Sequence, residues 1–339
     1  MQFGYCVPVF ANPGPGLFRT PNYDALNAAE TLDLALCAER LGFDSLWVAD
    51  HLMLGLNSEI LEGWTTLSVL AGRTQRARLG LIHQAHPLRH PSLAAKMMAT
   101  FDVLSNGRFI YFVDWGRSTD ELARYGLIEN EPPAVRVAKM LEGLELTMRM
   151  WQEDYPVTFE GRYYRVGRAI ARPKPRQQPH PPIWLGETDP ELLRWVSRYG
   201  QGWNLVFSGE ERLQDALAQL TQHCRDVKRD VDTLERSIEV QILLAETEQD
   251  ARDCLRGLLD KARRRAPLAP VWESYWRGET RRLPEEVEKT WLFGIPDQVN
   301  QRIAEWAHYG ISHILLWFLD APETRGIELF SETILRKPT

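Results

Sequence analysis

The feature that most constrains this chain is a recurring unit: a short apolar run, closed by a polar pair or a turn, then a segment of helical periodicity. Phe3 to Phe10 is the first run, ended by Asn12-Pro13-Gly14-Pro15-Gly16. From Tyr23 to Leu41 the residues Leu26, Leu32, Leu34, Ala35, Ala38 and Leu41 favour one helical face, and Gly42 stops it. A second strand, Phe43 to Ala49, ends abruptly in Asp50-His51. The same unit predicts strands at Ala77 to His83, Arg108 to Val113, Pro182 to Gly186, Gly202 to Phe207, Ile238 to Ala245 and Ile311 to Phe318, eight in all. Strand alternating with helix implies parallel pairing and right-handed crossovers, so eight units predict an α/β fold, a (β/α)8 TIM barrel. A doubly wound sheet competes poorly, because Gly14-Pro15-Gly16 lacks the third glycine of a dinucleotide fingerprint.

A bare barrel needs about 250 residues, and this chain has 339. The excess falls in two insertions, about 114–181 after strand four and 265–293 after strand seven, so residues 1–339 are expected to form one domain. The first holds a helix, Ala134 to Trp151, and a hairpin within Tyr155 to Val166. The second is aromatic, charged and aperiodic. Loops that follow barrel strands build the active site, which makes the segment around Arg281 and Arg282 either a lid or a surface decoration. A net charge of −6 with no basic stripe argues against nucleic-acid and membrane-surface partners and favours small molecules. Four scattered cysteines read as reduced thiols. With no basic leader and no run of 18 apolar residues, a cytoplasmic protein is expected.

Polar residues at strand ends are the candidates for chemistry. They are Asp50 and His51 after strand two, His83 and Gln84 after three, Asp114, Trp115 and Gly116 after four, Glu187 and Thr188 after five, Gln241 on seven and Trp317 on eight. Asp50-His51 reads as a proton carrier beside a carboxylate, or as a loop cap. His83, His86 and His90 suggest a metal set, but Pro87 and Pro91 break the helix that would align them, and no metal is expected. Thr188-Asp189-Pro190-Glu191 reads as a helix start with Thr188 as N-cap and Glu191 completing a capping box. Neither a G-x-S-x-G elbow nor a Walker A loop occurs.

The segments Phe43 to His51, Leu104-Ser105-Asn106-Gly107-Arg108-Phe109, Pro182 to Gly186, Phe293-Gly294-Ile295-Pro296-Asp297 and Tyr309 to Ile314 together resemble the bacterial luciferase-like flavin oxidoreductases across nearly the whole chain. The resemblance implies a reduced flavin or the deazaflavin F420 at the carboxyl ends of the strands. It implies a non-proline cis peptide at Ile82-His83 behind the ring, and Asp114, Trp115 and Gly116 beside the cofactor. It places Gly186, Glu187 and Thr188 at the phosphate-binding turn, with Arg117 as a substitute cation, and His51 near the reactive edge. Arg281, Arg282 and Trp317 would face the substrate. The leading expectation is a monooxygenase that takes FMNH2 from a separate reductase and uses O2 to oxygenate a small organic substrate through a peroxyflavin. The alternatives are an F420-dependent oxidoreductase working by hydride transfer and a non-catalytic flavin-binding protein. The chain also resembles the alkanesulfonate monooxygenases, but strand seven carries Glu239 and Gln241 where those enzymes place an arginine and a histidine, which argues against a sulfonate. A homodimer is expected by the same resemblance.

Overall fold

The computed structural model describes residues 1–12, 17–129 and 131–336. Pro13 to Gly16, most of the first turn cluster, lie outside the described residues. Eight parallel strands close on themselves: β1 (Gln2–Cys6), β2 (Ser45–Val48), β3 (Arg78–Leu81), β4 (Phe109–Asp114), β5 (Ile183–Gly186), β6 (Gly202–Val206), β7 (Glu235–Leu244) and β8 (His313–Phe318). Each pairs with its neighbours in order, and β8 returns to β1 with Gln2 opposite His313. This is the predicted barrel. The helices α1 (Ala28–Leu41), α2 (Gly63–Arg73), α3 (Pro91–Leu104), α4 (Pro133–Gln152), α5 (Pro190–Tyr199), α6 (Glu210–Asp226), α7 (Glu248–Arg263) and α8 (Pro296–His308) cover the strands.

Local chemistry sets the boundaries. Asn27 caps α1 by accepting from the Ala29 and Glu30 N–H groups, and Gly42 ends it at φ 110. The first strand stops at Cys6 and not Phe10, because Pro8 has no N–H to continue a ladder. Phe10 instead bridges to Ile60. The hairpin in the first insertion is present, Val157–Glu160 against Arg165–Ala169. The second insertion is more ordered than its aperiodic sequence suggests. It contains helices Pro270–Trp276 and Glu285–Thr290 and a further parallel strand, Trp291–Gly294, paired with Gln241 to Leu244 of the long β7.

The barrel interior is filled by packed aromatic rings, with two tilted indoles at its centre. Trp47 lies 5.3 Å from Trp184 and edge-on to Phe112. Glycines make the space: a Cβ on Gly80 would sit 2.4 Å from the Trp47 ring, and one on Gly202 would sit 2.2 Å from Trp184. At the amino ends of the strands a buried polar cluster closes the core. His313 bonds Glu235 through Nδ1 (2.7 Å) and Ser45 through Nε2 (2.8 Å), and Arg78 bonds Glu235 at 2.9 Å. That end of a barrel serves stability, and the opposite end carries the site.

Candidate active site

At the carboxyl ends of β2, β3 and β4 a cavity of about 190 Å³ is lined by Asp50, His51, Ile82, His83, Asp114, Gly116 and Arg117, together with Arg19 and Glu121. Strand three shapes its wall. After Leu81 the peptide Ile82-His83 is cis, as expected, and pairing with β4 resumes at Gln84 opposite Val113. From Gly80 to Gln84 the chain takes four steps while β4 takes three, from Ile110 to Val113. The extra residue interrupts the ladder as a bulge does, and His83 lines the mouth with its ring edge-on to Phe112, centroids 4.4 Å apart. Burial lowers the His83 pKa against the opposing charges of Glu239 and Asp114, so the ring is neutral.

His51 and Glu121 form a dyad. His51 Nδ1 lies 2.8 Å from Glu121 Oε1, and Glu121 Oε2 accepts from the N–H groups of Leu52 (3.0 Å) and Met53 (3.1 Å). Burial pushes the Glu121 carboxyl up, but the His51 bond and the two backbone donors outweigh it and hold it below its ordinary value. An ionised carboxylate only accepts, so Nδ1 carries the hydrogen that Glu121 holds, and Nε2 is the ring nitrogen left for proton transfer. Glu121 carried no signal in the sequence. It sits on the short helix Thr119–Arg124 inside the first insertion.

Asp50 has a different part. Its carboxylate is gripped by the Arg89 fork at 2.8 and 3.0 Å and accepts from Ala85 N at 3.1 Å, and Arg89 also reaches Glu62 at 2.7 Å. Asp50 is 2% exposed. The pair ties the end of β2 to the segment after β3, which fixes His51 and His83 relative to one another. Beneath them Glu239 of β7 accepts from Trp317 Nε1 (2.6 Å) and pairs with Arg19 (2.8 Å), while His83 Nε2 stands 3.6 Å from its second oxygen.

The rim after β4 is a tight turn. Asp114 Oδ1 accepts from Gly116 N (2.6 Å) and Arg117 N (3.2 Å). Gly116 has φ 81, and a Cβ there would meet Pro87 at 2.8 Å and Leu122 at 3.0 Å. Trp115 lies under the Arg136 guanidinium, 4.5 Å from the ring, and Arg136 also donates to the Gly116 carbonyl. Arg117 reaches Asp114 (3.2 Å) and Glu187 (3.8 Å), and Glu187 is held at 2.7 Å by Arg212. Gly186 ends β5 beside the Asn204 carbonyl.

The helix start after β5 corrects the expectation. Asp189, not Thr188, is the N-cap of α5 and accepts from Glu191 N (2.8 Å) and Leu192 N (3.3 Å). Pro190 occupies the first helical position, so the residue immediately before it becomes the cap. Its carboxylate fills the anion position at that helix end. Thr188 faces an outer hollow of about 720 Å³ shared with Ser208, Gly209, Arg212, Lys289 and Arg302 and with the acidic residues Glu210, Glu211, Asp215 and Glu288. There α6 begins at Gly209 with no side-chain cap, and its free N–H groups carry the positive end of the helix dipole.

Other predicted residues lie elsewhere. Arg281 and Arg282 are exposed and do not line the mouth; Arg282 pairs with Glu288 at 3.5 Å and the Arg281 carbonyl accepts from Arg252. Trp317 is buried as a floor under Glu239 and Arg19. His86 bonds Tyr164 (2.8 Å), and His90 caps α3. No helix among the described residues is long and apolar enough to cross a membrane.

Comparison with known proteins agrees with this geometry. The chain is 27% identical over 329 residues to an F420-dependent glucose-6-phosphate dehydrogenase of Amycolatopsis mediterranei, covering 91% of this chain and 94% of that one. It is 28% identical over 325 residues to the protein of that name from Microbacterium testaceum, with 90% and 92% covered. The crystal structure of the monooxygenase RslO1 from Streptomyces bottropensis superposes with a TM-score of 0.75 over 99% of each chain at 23% identity. The family model for luciferase-like monooxygenases matches residues 1–313. A closed parallel barrel with a cis peptide behind its mouth, matched by that model over most of its length, is an oxidoreductase that belongs to the luciferase-like family.

Proposed function

We propose that this chain is an F420-dependent oxidoreductase acting on a small organic molecule, the alternative reading of the sequence and not the FMN monooxygenase placed first. The observation that carries it is the likeness to two F420-dependent dehydrogenases along nine-tenths of the chain. Likeness to RslO1 at 23% identity speaks for the barrel alone.

The residues present fit such a cofactor. Ile82, His83 and Gly116 wall the mouth, and the uncapped start of α6 with the Thr188 and Ser208 hydroxyls and Lys289 offers donors to the cofactor's acidic side chain among the carboxylates that share the hollow. A Cβ on Gly209 would touch nothing within 4 Å, so the space over that helix end is open.

When bound, F420 accepts or returns a hydride, and the substrate's proton is left to the protein. His51 Nε2 takes that proton in the oxidising direction and gives it back in the reducing one. Glu121 holds the ring in the required tautomer and stabilises the imidazolium. The Asp50–Arg89 pair fixes the backbone that carries His51.

Titration of the purified protein with F420 and with FMN, each oxidised and reduced, tests this. Tight F420 binding with F420-linked turnover is expected. Preference for FMN, with O2 consumed on adding FMNH2, would restore the monooxygenase reading.

A further inference from the structure

The mouth cavity is lined by two cations among the described residues, and both are occupied. Arg117 is shared between Asp114 and Glu187. Arg19, on the loop after β1, is held more completely. Its guanidinium pairs with Glu239 at 2.8 Å and lies 4.4 Å from the Phe18 ring and 5.1 Å from Trp317, while its backbone N–H donates to Gln241 Oε1 at 2.6 Å. Two side chains of β7 thus tether one arginine at both its backbone and its head.

The remaining ionisable wall is two histidines, His51 and His83, and three carboxylates already paired, Asp50 with Arg89, Asp114 with Arg117 and Glu121 with His51. Below it the buried second oxygen of Glu239 has no hydrogen-bond partner among the described residues. The other wall residues include Ile82, Leu122 and Val206. An anionic group entering this space meets no arginine free to pair with it and would have to compete with carboxylates for those that are there, and a buried anion without a partner is strongly disfavoured. Freeing Arg19 to meet it would strip Glu239 of its cation in the interior.

We propose that the site takes an uncharged alcohol or carbonyl compound and rejects phosphorylated and carboxylate substrates, with Glu239 and Gln241 imposing this choice by holding Arg19 away from the substrate. The inference rests on the oxidoreductase reading above and deepens it. It parts from what the names of the two relatives would suggest, since glucose 6-phosphate carries the group this wall excludes.

The test uses the full-length protein loaded with F420 and a matched pair of probes, glucose and glucose 6-phosphate, which differ only in the phosphate. Calorimetry is expected to show the wild type binding the phosphate ester no better than the sugar. Glu239→Gln keeps an acceptor for Trp317 and removes the charge that holds Arg19. It is expected to raise the ratio of affinity for glucose 6-phosphate over glucose by about tenfold or more, a single strong charge contact. Adding Arg19→Gln to that variant is expected to abolish the gain. If Glu239→Gln does not fold, Gln241→Leu, which cuts only the backbone tether, is expected to move the same ratio in the same direction by about threefold. A wild type that prefers glucose 6-phosphate tenfold, or a folded variant with an unmoved ratio, overturns the proposal while leaving the cofactor reading intact. Failure to load F420 at all overturns the cofactor reading first and this inference with it.

Discussion

Replacing Glu121 by Gln changes one atom type and should reverse a tautomer. In the wild type Glu121 Oε2 accepts from two backbone N–H groups, at 3.0 and 3.1 Å, and Oε1 accepts from His51 Nδ1–H at 2.8 Å. Glutamine has one carbonyl oxygen, and the two backbone donors claim it. Its amide NH2 then faces His51, and Nδ1 must accept. The imidazole proton moves to Nε2, the atom assigned as the base. Loss of a positioned general base lowers turnover by about 10² to 10⁴, or about 3 to 5 kcal/mol in the barrier. The stability cost is smaller, about 1 to 3 kcal/mol, because the three bonds to the carboxylate lose their charge assistance but neither backbone donor is orphaned. The decisive assay is the ¹⁵N spectrum of histidine-labelled protein, which separates protonated from unprotonated ring nitrogens without any substrate. Wild type should show His51 protonated at Nδ1 and E121Q should show it at Nε2. Identical tautomers in both proteins, or a full loss of turnover with the wild-type tautomer retained, would refute the reasoning.

Three further outcomes follow from other contacts. Asp50→Asn leaves Arg89 buried with half its charge compensation, so unfolding free energy in urea should fall by about 3 to 5 kcal/mol; a loss under 1 kcal/mol would mean that Glu62 suffices to hold Arg89. Gly116→Ala combines a φ of 81 with a Cβ 2.8 Å from Pro87, and thermal melts should show about 1 to 3 kcal/mol of destabilisation. Burial lifts the Asp320 carboxyl to about 6. Because the folded value lies above the unfolded one of about 3.9, its contribution is complete below pH 4 and is lost as the pH rises through 6. That loss amounts to about 3 kcal/mol. Asp320→Asn should erase this part of the pH slope, and an unchanged difference between wild type and variant from pH 4 to 7 would count against it.

How much of this was legible in the sequence depends on how far apart the interacting residues are. The eight strands were readable because each is a local apolar run, buried on both faces in a parallel barrel. Among the described residues two short strands were missed, Gln84–Ala85 and Trp291–Gly294; the second is four residues long and gains its place only from pairing with Gln241 to Leu244 of the long β7. Residues at strand ends, His51, His83, Asp114 and Gly116, could be named because the barrel itself puts strand ends at the mouth. What could not be named were their partners. His51 and Glu121 are 70 positions apart, Asp50 and Arg89 are 39, and Arg19 and Gln241 are 222. None of these pairs follows a helical or strand period, so no spacing rule connects them.

The same distinction explains why Asp50 and His51, adjacent in sequence and alike in promise, separate so sharply in role. Both carboxylate oxygens of Asp50 point to groups on the segment after β3, two from the Arg89 fork and one from Ala85 N. Its lone pairs are spent on architecture and little is left for a substrate proton. His51 has one nitrogen committed to Glu121 and one uncommitted, and its side chain is 30% exposed. A residue is available for proton transfer to the extent that its hydrogen-bonding capacity is left incomplete at the cavity. By that measure the dyad is His51 with a glutamate 70 residues away, and the neighbouring aspartate is the post on which it is mounted.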